Sequence, residues 1–177
     1  GRVITLLGNH EVMNLLGEQR DVTPAIYASF ADASSEARRQ RAWDQHQRLA
    51  RAQARRRASL PAVYTQTREA WMAAHPPGWL EYRAALAPDG HYGRWLRARP
   101  VSARVHDTAF VHAGIDPLAP PRSLDAIEAS VRAEIARMDR FLSRLVDAGL
   151  ALPFFSMAEI LEVAAAEVRH VNALVAE

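Results

Sequence analysis

The chain has no cysteine and no lysine, and none of its apolar runs approaches the ~20 residues a transmembrane helix needs. Without cysteine there are no disulfides, no thiolate metal ligands and no cysteine nucleophile. Without a long apolar run, no membrane segment is predicted. All 22 basic residues are therefore Arg. Arg suits phosphate and carboxylate recognition better than Lys, although genome composition alone also produces such a bias. With 49% apolar and 24% charged residues over 177 positions, the composition is that of one ordinary globular domain, not of a disordered tail or a fibre.

The formal charge is only +2, but it is unevenly spread. Residues 36–57 hold eight Arg against Glu36 and Asp44, whereas residues 123–177 hold five Arg against nine acids. A basic arm and an acidic tail are thus written into one chain. There is no internal repeat, and the only biased stretch is the Ala/Arg-rich one.

Val3-Ile4-Thr5-Leu6-Leu7 is a short β-branched run that predicts a buried strand, ended by Gly8 and followed by helical spacing through Val12, Leu15 and Leu16. Residues 25–60 have high helix propensity and a narrow apolar stripe at Ile26, Phe30, Trp43, Leu49 and Leu60, which predicts a solvent-facing or partly mobile helix. A second helical stretch after Pro61 should stop at Pro76-Pro77, before an aromatic-rich segment from Trp79 to Leu96. Val101 to Val105 and Ala109-Phe110-Val111, around a His106-Asp107 turn, predict a hairpin whose second strand is buried. From Leu124 to Leu145 the spacing is helical, with Ser123 as N-cap and Gly149 as C-cap. Ser156 and Glu159 form a capping box flanked by Phe155 and Ile160. A stripe of Ile160, Ala164, Val168, Val171 and Val175 then runs on.

Two short loops, each after a predicted strand, carry the chemistry: Gly8-Asn9-His10-Glu11 and His112-Ala113-Gly114. An Asn oxygen is a hard neutral ligand for a divalent cation, and His exchanges protons near neutral pH. Gly8 lets the backbone turn sharply so that both side chains face one cavity. Glu11 either orients the imidazole or caps the following helix. In the alternative reading Asn9 is only an N-cap and His10 an exposed first-turn residue. His46 and His75 are expected to be exposed, His91 and His106 to sit in turns, and His170 to lie near a helix C-terminus. None of these histidines is expected to bind metal; His91 is the least safe of them, because Arg94 and Arg97 beside it could hold phosphate if they stood near a site, and no substrate-binding residue is assigned.

Leu6-Leu7-Gly8-Asn9-His10-Glu11 together with Phe110-Val111-His112-Ala113-Gly114-Ile115 resembles the calcineurin-like metallophosphoesterase superfamily, on its phosphoprotein-phosphatase side. Met13-Asn14-Leu15, Gly93-Arg94-Trp95-Leu96-Arg97 and Pro153-Phe154-Phe155 look most like its bacterial Shewanella-like phosphatase branch. The resemblance implies an α/β fold, an αββα sandwich, with residues ~17–100 as a helical insertion in a single incomplete domain spanning residues 1–177. It implies that Asn9 and His112 ligate metal and that His10 is catalytic, assisting the leaving group. It further implies two divalent ions (Mn, Fe or Zn) and a phosphomonoester substrate, either a phosphorylated protein or a small phosphoester, with no nucleic acid as partner.

The family's Asp-x-His-Gly, Gly-Asp-x-x-Asp-Arg-Gly and Gly-His motifs do not occur here, and the start at Gly1 reads as a cut edge. The chain is therefore expected to be the central, mostly helical part of a phosphatase and close to inactive alone. Two alternatives stand beside that reading: an Arg-rich helical binding module, and a catalytically dead relative that keeps the fold.

Overall fold

The computed structural model describes residues 3–56, 66–118 and 120–176. Among them are eight helices and one two-stranded antiparallel sheet, so the chain is predominantly helical. No helix among the described residues is long and apolar enough to cross a membrane. Two compact units are present: one of residues 1–16 and 85–141, the other of residues 17–84 and 142–177.

The first unit carries α1 (Asn9–Leu15), α6 (His91–Arg97), the hairpin β1 (Ser102–Val105) and β2 (Thr108–Val111), and most of α7 (Leu124–Asp147). The hairpin register pairs Ser102 with Val111 and Val105 with Thr108. His106 takes a positive φ of 53° in the connecting turn, as a tight two-residue connection requires. Two backbone contacts fix the hairpin in place. The Leu7 amide donates to the Pro100 carbonyl at 2.8 Å, and the Val101 amide donates to Glu128 of α7 at 2.8 Å. Arg97 clamps Asp139 through two hydrogen bonds of 2.9 and 2.7 Å and also donates to the carbonyls of Leu86 and Gly93.

The strand expected at residues 3–7 does not form. That run is paired with no other strand, Val3 is 87% exposed, and only Leu7 at its end is buried. A continuous β-branched run becomes a strand only where a neighbouring strand accepts its hydrogen bonds, and no strand lies beside it among the described residues. The second hairpin strand is also not buried: Phe110 is 48% exposed.

The second unit is built around α3 (Ser35–Arg56) and α4 (Arg68–Ala74), with α2 (Pro24–Phe30), most of α5 (Trp79–Leu86) and α8 (Met157–Ala176). Its core gathers Ala42, Trp43 and Trp71, with Met72, Leu80 and Phe154 packed around them. One side of α3 is therefore buried, contrary to the solvent-facing expectation, and the helical stretch expected from residue 25 onwards is interrupted at residues 31–34, between α2 and α3. Ser35, Arg39, Ala42, Trp43, His46 and Gln53 recur at helical spacing on that side. Arg39 is tolerated there because it donates to the carbonyls of His75 and Met72 at 2.6 and 2.8 Å. The predicted helix start near Pro61 and the stripe position Leu60 lie outside the described residues.

The capping predictions hold. The Ala126 amide donates to Ser123 Oγ at 3.1 Å, and Gly149 has φ 66° where α7 ends. Ser156 and Glu159 satisfy each other as a capping box, the Ser156 amide donating to Glu159 Oε2 at 2.8 Å. The α8 stripe differs from the expected one. Ile160, Val163 and Ala166 are buried, whereas Val168 and Val171 are about half exposed; the Val175 side chain lies outside the described residues. The apolar positions of α8 run all round it, so spacing alone did not select the face.

Candidate functional site

The two motif loops come together in the first unit. Gly8 is the N-cap of α1, and Glu11 Oε2 accepts a hydrogen bond from the Gly8 amide at 2.9 Å. Glu11 thus caps the helix. Asn9 is the first residue of α1, not its cap, and is exposed, as is His10 beside it. His112 follows β2 directly and is exposed. Its Nε2 lies 2.8 Å from Asn9 Oδ1. An amide oxygen only accepts, so in this arrangement Nε2 carries the ring proton.

Gly8 is needed for space, not for an unusual backbone. Its φ is −103°, which any residue can adopt. A Cβ at this position would stand 2.7 Å from Glu11 Oε2 and 2.8 Å from His112 Cε1 and Nδ1. The sharp-turn argument for Gly8 is therefore corrected: the absent side chain makes room for the His112 ring and the Glu11 carboxylate.

A cavity of about 530 Å³ adjoins the pair, lined by Gly8, Asn9 and His112 and then by aliphatic side chains such as Val12, Ile127 and Val131. Its size falls within the range typical of small-molecule sites.

The donor chemistry fits part of a metal site. Two ligands about 2.1 Å from one ion at a right angle stand roughly 3 Å apart, close to the observed Asn9–His112 separation. Loss of the Nε2 proton would free that nitrogen to coordinate. Both donors are neutral, however, and no group of three His, Asp or Glu among the described residues is placed to hold an ion. The pair is a partial cage.

The other candidates divide differently. Arg94 and Arg97 do not reach for a ligand: Arg94 donates to the Asp89 carbonyl, and Arg97 is committed to Asp139. His91 opens α6, His106 sits in the hairpin turn, and His170 lies in the last third of α8. His46 and His75 are not exposed. They are 2% and 6% exposed, packed among Trp43, Trp71, Trp79 and Phe155. Burial is the main reason that both imidazoles are held below the usual histidine pKa. Sequence reasoning missed them because a polar residue at core spacing looks like any other polar residue until its aromatic neighbours are known.

Comparison of the chain with protein-family models, with characterised proteins and with solved structures finds no match.

Proposed function

We propose that this chain carries part of the catalytic centre of a metal-dependent phosphomonoesterase of the calcineurin-like superfamily, whose intact fold is an αββα sandwich. The observation that supports this most is the 2.8 Å approach of His112 Nε2 to Asn9 Oδ1, from the two loops that carry the motif resemblance. Divalent ions of the Mn, Fe or Zn type, when bound, supply Lewis acidity and an activated water nucleophile. Asn9 and His112 are the residues that would hold one of them. His10, as imidazolium, gives a proton to the departing alkoxide or phenoxide oxygen, a contribution of typically 10²–10⁴-fold. The substrate class is a phosphomonoester, on a protein or a small molecule.

Two neutral donors do little to offset the cost of dehydrating a divalent ion, which carboxylate ligands normally offset. The reading therefore requires anionic ligands from outside residues 1–177, and the chain alone is expected to be close to inactive. The test is hydrolysis of an aryl phosphate with Mn²⁺ by the protein expressed from its complete reading frame. His10→Ala should lower kcat by at least about 10²-fold, in line with the loss of a general acid. A fully folded product that shows no metal-dependent turnover, or undiminished turnover in His10→Ala, overturns the proposal.

A further inference from the structure

The second unit contains a cavity of about 450 Å³ that is independent of the phosphoesterase reading. Among the described residues its wall includes Glu18, Glu159, Glu162, His75, Trp79 and Tyr27, and no Arg. Glu18 and Glu162 are exposed, and Glu159 is half-buried and anchored through Oε2 by the Ser156 amide and hydroxyl at 2.8 Å each. A set of carboxylates alone would specify nothing, but His75 adds an independent constraint.

His75 is 94% buried, being 6% exposed. Its Nδ1 lies 2.7 Å from the Trp71 carbonyl oxygen. A carbonyl oxygen can only accept, so the neutral ring keeps its proton on Nδ1 and leaves Nε2 as a bare acceptor. Nε2 has no hydrogen-bond partner among the described residues. The ring is held rigidly, stacked on Trp71 at 4.0 Å and edge-on to Trp79 at 4.3 Å. Two cations stand in this core: Arg39, committed to the His75 and Met72 carbonyls and to Glu36, and Arg83, which lies behind Gly17 of the wall and donates to the Phe155 carbonyl at 3.1 Å.

The size of the ligand follows from how the acidic groups are spread. No three His, Asp or Glu among the described residues converge on a single point as a metal ion demands. They surround a volume suited to a small organic molecule. The wall offers acceptors and negative charge, beside the largely buried Trp79 indole.

We propose that this cavity binds a small organic cation bearing N–H donors, an alkylammonium or guanidinium compound. Glu18 and Glu162 offset its charge, His75 Nε2 accepts one N–H, and Trp79 and Tyr27 flank its apolar body.

The test is an NMR titration of the full 177-residue chain with putrescine, with 1,4-butanediol and Mn²⁺ as separate comparison ligands. Saturable shifts of the His75 ring and the Trp79 indole N–H are expected with putrescine and not with the uncharged diol. The Glu18→Gln/Glu162→Gln double variant should weaken binding by about tenfold, as expected for removing two exposed ion pairs. Both positions are exposed, so an unchanged melting curve should accompany the loss; should the variant not fold, the titration of the unaltered chain decides by itself. The absence of saturable shifts, equal response to the diol, undiminished binding in a folded variant, or tighter binding of Mn²⁺ at the same residues each overturns the proposal.

Discussion

His112 Nε2 and Asn9 Oδ1 meet at 2.8 Å although 103 positions separate them in the chain. The meeting depends on Gly8, whose missing side chain leaves room for the imidazole. Gly8→Ala would push a methyl group into both the His112 ring and the Glu11 carboxylate. We expect it to separate the pair and to cost about 1–3 kcal/mol, the usual range for overpacking. The His112 ring resonances and urea unfolding report the two effects; an unshifted His112 with unchanged stability would remove the steric role of Gly8.

The buried histidines make the second unit sensitive to acid. His46 and His75 have pKa values lowered chiefly by burial, although Glu159 partly opposes this at His46. The unfolded chain, with imidazoles near 6.5, binds protons more readily than the folded one. Their contribution is thus fully present above about pH 6.5 and is lost as pH falls from there towards the folded pKa values. The slope approaches about 1.4 kcal/mol per pH unit for each histidine. Urea unfolding between pH 7.5 and 5 should show falling stability, and replacing His75 by Gln should flatten the dependence. A pH-independent midpoint would contradict this.

Arg97 and Asp139 are joined by two hydrogen bonds, and their side chains are only 17% and 24% exposed. Asp139→Ala leaves the Arg97 guanidinium without its carboxylate in a largely desolvated place, and a loss of about 1–3 kcal/mol is expected. The Arg137–Glu134 pair is a control, with side chains 68% and 59% exposed. Glu134→Ala should change stability by less than about 0.5 kcal/mol. Equal effects of the two substitutions in denaturant unfolding would show that burial of the Arg97 pair is not what matters.

Two glycines should respond oppositely to the same change. Gly78 has φ 88°, and a Cβ there would fall 1.8 Å from the Tyr27 carbonyl oxygen. Gly78→Ala therefore meets both backbone strain and a steric conflict with main chain that cannot swing away, and a loss above about 3 kcal/mol is expected. Gly114, beside the His112 loop, has open space around it. Gly114→Ala should be within about 0.5 kcal/mol of the original. Thermal unfolding of the two variants separates them, and a mild Gly78→Ala would mean that α2 and α5 can part at no cost.

Local instructions were legible in the sequence, and long-range ones were not. The Ser123 cap, the Gly149 terminus, the Ser156–Glu159 box and the His106-Asp107 turn all act within a few residues, and each lies where the residue types place it. The expected strand at residues 3–7 failed because β-structure needs a partner that the run itself cannot supply. The buried side of α3 was hidden because Ser35, Arg39, His46 and Gln53 are polar and do not register as a stripe. His46 is buried by Trp43, Trp71 and Phe155, and Arg39 is satisfied by carbonyls of α4 and its C-cap.

The candidate site shows the same division. Its residues, Asn9, His10 and His112, came from motif and chemistry alone. The approach of Asn9 to His112, the capping role of Glu11 and the steric need for Gly8 came from the folded chain. The sequence by itself determined the helix starts at Ser123 and Ser156, the helix end at Gly149, where the hairpin turns and which side chains can donate to an ion or move a proton, because those properties belong to single residues and their neighbours. Only the tertiary structure decided which polar groups are buried and which distant loops meet, because desolvation and steric fit depend on atoms brought together from elsewhere in the chain.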